Sequence, residues 1–147
     1  MRVADYMVRE VTTLDETAHL LDAALLIRRT GKRHIPVVDA KGHVVGIITD
    51  RDVARVAPSV LGNMTPEEYN EIFESTNVQV AMTKSPLFVT PDTPIAEAVA
   101  MLHAQKVGAV IVMEGDNLVG ILTATDMLGL LHELLSGQKE LKQAGSA

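Results

Sequence analysis

The chain has 147 residues, with 13 Lys and Arg against 19 Asp and Glu and a net charge of −6, which argues against coating nucleic acid through a broad basic face. Hydrophobic residues make up 47% and charged residues 22%, enough to build a core in one domain or in two halves, whereas 3% aromatics are too few for a base-stacking platform. Cysteine is absent, which removes disulfides, thiolate nucleophiles and zinc knuckles and fits a reducing, cytoplasmic setting.

In chain order, Met1-Arg2-Val3-Ala4-Asp5 meets an acid at once and shows no signal-peptide run. A short strand is expected over Val11–Leu14, then an acidic turn, Asp15-Glu16-Thr17, that offers helix caps. Leu20, Ala23, Ala24 and Ile27 follow the i, i+3, i+4, i+7 spacing of a one-faced helix. The basic run Lys32-Arg33-His34 leads into strands Ile35–Val38 and Val44–Ile48, joined by Asp39-Ala40-Lys41-Gly42, and a helix opens at Asp50. Pro58, Gly62, Asn63 and Pro66 break the pattern, and Thr65-Pro66-Glu67-Glu68 starts a short helix expected to reach Glu74.

The same order then returns. A strand is expected over Leu87–Val89, a turn at Thr90-Pro91-Asp92-Thr93, and a helix on Ile95, Ala98, Val99 and Leu102. Strands Val110–Met113 and Leu118–Leu122 follow, joined by Glu114-Gly115-Asp116-Asn117, and a helix opens at Ala124. That last helix is expected to run amphipathically from Met127 through Leu135 to Leu141, ahead of a polar tail. The apolar stretches are short and broken by charge, so no membrane span is expected.

The chain therefore contains an internal repeat. Val3-Ala4-Asp5-Tyr6-Met7 and Val78-Gln79-Val80-Ala81-Met82 stand 75 positions apart. One residue fewer between helix and strand then brings Val45-Gly46-Ile47-Ile48-Thr49-Asp50-Arg51-Asp52 over Val119-Gly120-Ile121-Leu122-Thr123-Ala124-Thr125-Asp126. The unit is β-α-β-β-α, twice, an α/β (α+β) architecture. Each unit alone is marginal in size, so the halves are expected to pack sheet to sheet. The expected map is repeat 1 over 1–62, a linker with a short helix over 63–79, repeat 2 over 80–135 and a tail over 136–147.

The Thr-x-x-Asp ending has two readings. Thr49 and Thr123 can cap their helices while Asp52 and Asp126, three residues on, reach back in a capping box worth about 1 kcal/mol each. A carboxylate beside a helix N-terminus can also accept from a ribose diol, with amides nearby for phosphate. Both hold together if Thr caps and Asp turns outward. Gly46 and Gly120 leave room for close approach of backbone or ligand. Lys32, Arg33, His34 and Arg51 form a local basic exception suited to phosphate, set against the plain reading of a solvated turn. The second unit has Lys106, Val107, Gly108 and Thr125 there instead. Thr125 keeps a hydroxyl for a phosphate or ribose oxygen, while Asp22 and Glu97 are expected to be exposed.

Two such units resemble a tandem pair of cystathionine-β-synthase (CBS) domains, from about Val3 to Leu135, with no further domain left over. The resemblance implies a stand-alone regulatory module whose inter-repeat clefts bind adenosine-containing ligands and which dimerises. It implies Asp52 and Asp126 on the ribose, and a base placed against Ile35, Pro36, Ala109 and Val110. No cofactor is required; AMP, ADP, ATP, NAD or S-adenosylmethionine is the expected bound ligand, and a partner protein reads the occupancy. A ligand-free dimerisation scaffold is the alternative. An enzyme is disfavoured: each cleft offers a lone carboxylate with no base–nucleophile pair. The five histidines, His19, His34, His43, His103 and His132, show no metal-ligand spacing. The seven methionines read as core filling.

Overall fold

In the computed structural model, which describes residues 1–57 and 64–140, both repeats have the expected element order, giving a mixed α/β fold with two three-stranded sheets. One compact unit spans Thr12–Pro86. It contains β1 (Leu14–Asp15), α1 (Leu20–Thr30), β2 (His34–Val38), β3 (Val44–Thr49), α2 (Asp50–Val56) and α3 (Pro66–Ser75). The other joins Met1–Val11 to residues from Leu87 onward. It contains β4 (Phe88–Val89), α4 (Ile95–Gln105), β5 (Ala109–Glu114), β6 (Asn117–Thr123) and α5 (Ala124–Leu135).

In each sheet a two-residue strand lies parallel to the middle strand, which pairs antiparallel with the third. The register slips once in both, between Val37 and Val38 and between Val112 and Met113. Val45 and Val119 are the extra residues of these bulges, and both lean on their unit's core. The first strand, expected over Val11–Leu14, instead pairs with β2 over Leu14–Asp15 and shares only Leu14 with the expectation.

The helices form where periodicity places them. Leu20 and Ala23 of α1, and Ile95, Ala98 and Leu102 of α4, are buried against the sheets. Thr65 caps α3, its hydroxyl accepting from the Glu68 amide at 3.2 Å, with Pro66 in the first turn. Of the breakers expected before it, Pro58, Gly62 and Asn63 lie outside the described residues. α1 and α4 both end in a left-handed residue, Gly31 (φ 71°) and Lys106 (φ 53°). Lysine adopts that conformation only against a steric penalty from its Cβ.

α5 is shorter than expected. It stops at Leu135, where the Gln138 amide turns back to the Glu133 carbonyl at 3.0 Å and closes the helix end. Leu141 lies outside the described residues.

The compact units are cut differently from the sequence repeats, because each leader segment completes the unit of the other repeat. Val3 and Met7 are buried with Val110, Val112 and Leu122, whereas Val78 and Ala81 are buried with Ile35, Val37 and Ile48. Val8 and Ile121 exchange backbone bonds of 2.9 and 3.0 Å, and Thr83 and Ile47 exchange two of 2.9 Å. The glycines explain how the leaders come so close. A Cβ on Gly46 would lie 2.6 Å from Met82 Sδ and 2.8 Å from the Thr83 carbonyl oxygen. One on Gly120 would lie 2.7 Å from Met7 Sδ and 3.1 Å from the Val8 oxygen. The space these glycines keep is filled by backbone and a methionine of the chain itself.

Candidate ligand-binding junctions

Each third strand runs straight into a helix, and the turn between them is built identically in the two units. Thr49 and Thr123 keep extended backbone as N-caps. Thr49 Oγ1 accepts from the Asp52 amide at 3.1 Å, and Asp52 Oδ2 accepts from the Thr49 amide at 2.9 Å. At Thr123 and Asp126 the same two bonds are 3.2 and 2.8 Å. The capping box is present twice, each satisfying donors that a helix start would otherwise leave orphaned. The strand entrance is tied in as well: the Asp50 amide donates to the Arg33 carbonyl at 3.2 Å and the Ala124 amide to that of Gly108 at 2.9 Å.

Asp52 does not turn outward. It is buried, and its second oxygen, Oδ1, accepts from Arg55 Nη2 at 2.8 Å. Asp126, half-buried, makes the box without such a partner. Sequence reasoning passed over Arg55, although the Asp-x-x-Arg spacing on a helix was there to be read as an i, i+3 ion pair.

The basic residues of the first junction do converge, in part. His34 pairs with Thr49 across the sheet. Burial, the largest influence, holds its imidazole below the usual histidine range; Asp50 opposes this, Arg33 and Arg51 reinforce it, and Asp52 opposes it more weakly. Arg33 and Arg51 are exposed, and so is Lys32, which sits upstream in the turn with its amide on Thr30 Oγ1 at 3.2 Å. In the second unit Thr125 stands exposed in the first turn of α5. Asp22 and Glu97 are both exposed, Asp22 Oδ2 accepting from the His19 amide at 2.8 Å.

The four residues expected against a base divide by sheet face. Ile35 and Val110 are fully buried in their units' own cores, paired with Ile48 and Leu122, so a base could reach them only by opening those cores. Pro36 and Ala109 stand on the opposite face, paired with Ile47 and Thr123, and are buried as well, so none of the four offers open surface to a base. Among the described residues there is no cluster of three or more His, Asp or Glu positioned to hold a metal ion, and no helix long and apolar enough to cross a membrane.

Comparison with known proteins bears on this geometry. A CBS domain-containing protein of Dictyostelium discoideum is 31% identical over 125 residues, covering 84% of this chain and 82% of that protein. A homoserine O-acetyltransferase of Methanohalobium evestigatum is 24% identical over 132 residues, 89% of this chain, but this chain spans only 24% of that enzyme's length. Among solved structures, a Vibrio cholerae protein assigned to acetoin utilization is 30% identical with a TM-score of 0.77, covering 97% of this chain and 98% of that one. A CBS domain pair solved with 5′-methylthioadenosine and S-adenosyl-L-methionine shares the fold at 22% identity and TM-score 0.75, covering 95% and 98%. So does CBSX2 in complex with AMP, at 22% identity and TM-score 0.73, covering 94% and 98%. The CBS domain profile itself matches twice, over residues 3–59 and 77–133. With both repeats matched, and each ending in the same Thr-x-x-Asp box, this chain belongs to the CBS domain family as a tandem pair.

Proposed function

We propose that this CBS pair is a regulatory module that binds an adenosine-containing ligand at its strand–helix junctions and passes the occupancy to a partner protein. The observation that carries the reading is the doubled junction itself, an extended Thr cap and a boxed carboxylate at a helix start, on a fold whose solved relatives hold AMP, S-adenosyl-L-methionine and 5′-methylthioadenosine. A junction carboxylate accepts from the ribose diol. Arg33, Arg51 and His34 at one junction, and the Thr125 hydroxyl at the other, face phosphate or ribose oxygens. The ligand acts as a signal and is not turned over.

Thermal shift with AMP, ADP, ATP, S-adenosylmethionine and NAD tests this. A ligand at a hundred times its Kd stabilises the folded state by about 2.7 kcal/mol, which at this chain length raises Tm by roughly 5–11 °C. No shift with any of the five would favour a ligand-free dimerisation scaffold. One observation speaks for that second reading: Leu128, Leu131 and Leu135 of α5 are 64%, 48% and 79% exposed, an apolar stripe that a second copy would cover. Light scattering of the unliganded protein reports the mass.

A further inference from the structure

The two junctions share their capping box but differ in what the outer carboxylate oxygen is doing. At Asp52 that oxygen is taken: Arg55 Nη2 bonds it at 2.8 Å, and the same nitrogen reaches the Ala81 carbonyl of the leader at 3.4 Å. The Asp52 side chain is 8% exposed and that of Arg55 66%. At the repeat offset of 74, Arg55 falls on Gly129. α5 therefore has no side chain three residues beyond its aspartate, and a Cβ placed on Gly129 would meet nothing within 4 Å. Among the described residues Asp126 has no ion pair, and only its Oδ2 is engaged in the box.

A carboxylate in a capping box has one oxygen committed to a backbone amide. A vicinal diol must then be held by the other. At Asp52 a hydroxyl would have to displace the guanidinium that already bonds that oxygen at 2.8 Å. Resting on the binding reading above, we infer that Arg55 commits Asp52 to the fold and leaves Asp126 as the carboxylate that holds the ligand's diol, so that the pair has one diol site instead of two. Arg55 is a positioning residue. The identity of the side chain at position 129 determines whether the second junction stays open.

Calorimetry of the full chain tests this, with AMP and S-adenosyl-L-methionine titrated in parallel because both carry the diol. One equivalent per chain is expected. Asp126→Asn lowers affinity at least tenfold, whereas Asp52→Asn lowers the melting temperature and leaves affinity within twofold. Gly129→Arg, which brings the i+3 guanidinium to α5, also weakens binding at least tenfold. Gly129→Ala fills the same open space without charge and binds as wild type, which separates pairing from bulk. Two equal sites in the wild type, an Asp52→Asn loss matching that of Asp126→Asn, or a Gly129→Arg variant that binds like wild type overturns the inference while leaving ligand binding intact. If neither ligand binds the wild type, the binding reading is overturned and this inference falls with it.

Discussion

Gly46→Ala probes the exchange of leader segments most directly. The added methyl would sit 2.6 Å from Met82 Sδ and 2.8 Å from the Thr83 carbonyl oxygen. The sulfur can swing away, since methionine is flexible, but the carbonyl cannot move without loosening the two 2.9 Å bonds between Thr83 and Ile47. Overpacking of this kind costs about 1–3 kcal/mol, and each backbone bond weakened adds about 1 kcal/mol, so a loss of about 3 kcal/mol is expected. At this length that lowers Tm by roughly 6–12 °C. Gly120→Ala is the internal comparison: its Cβ would meet Met7 Sδ at 2.7 Å but the Val8 oxygen only at 3.1 Å, so it should cost less. Paired with Met7→Ala it should recover most of the clash penalty, whereas Gly46→Ala with Met82→Ala should recover only part. Urea denaturation of the four variants and the two Met→Ala singles yields both coupling energies. A Gly46→Ala protein melting within about 1 °C of wild type would refute the reasoning, since the leader would then lie farther from β3 than the structure places it.

Burial depresses the folded-state value of His34 below the ordinary 6.5, so the unfolded chain takes up the proton first. Its stability contribution is complete above about pH 6.5 and is lost as pH falls through the folded value; the urea midpoint of wild type should therefore fall more steeply on acidification than that of His34→Gln, and parallel curves would contradict the assignment. Lys106→Gly should raise stability by about 1 kcal/mol, because glycine relieves the left-handed penalty that its counterpart Gly31 avoids, and a destabilised variant would show that the lysine side chain outweighs the strain.

The β-α-β-β-α repeat was legible because buried strands and one-faced helices each leave a period. Both junction helices begin at the expected residues, Asp50 and Ala124, since a Thr cap with Asp three residues on is a local signal. What escaped was non-local or small. That Val3 and Met7 join the core of the second repeat cannot be read from a period, because the same apolar lead fits either sheet. The Arg55–Asp52 bond was hidden by the repeat itself, since matching the Thr-x-x-Asp boxes drew attention to what the junctions share and away from position 129. The end of α5 was missed although Ser136-Gly137 marks it: Gly137 takes a left-handed φ of 73°, and the Gln138 amide turns back to the Glu133 carbonyl.

The leader exchange has a consequence for the order in which the protein can assemble as it is synthesised. Residues 12–86 form one unbroken stretch, so every partner within that unit exists once Pro86 has been added. The opposite holds for the first eleven residues. Val8 can meet Ile121 only after a loop on the order of a hundred residues has been made, and closing it costs about 2 kcal/mol more than closing a ten-residue loop. Until then Val3 and Met7 have no core to enter, and the earlier segment waits on the later one.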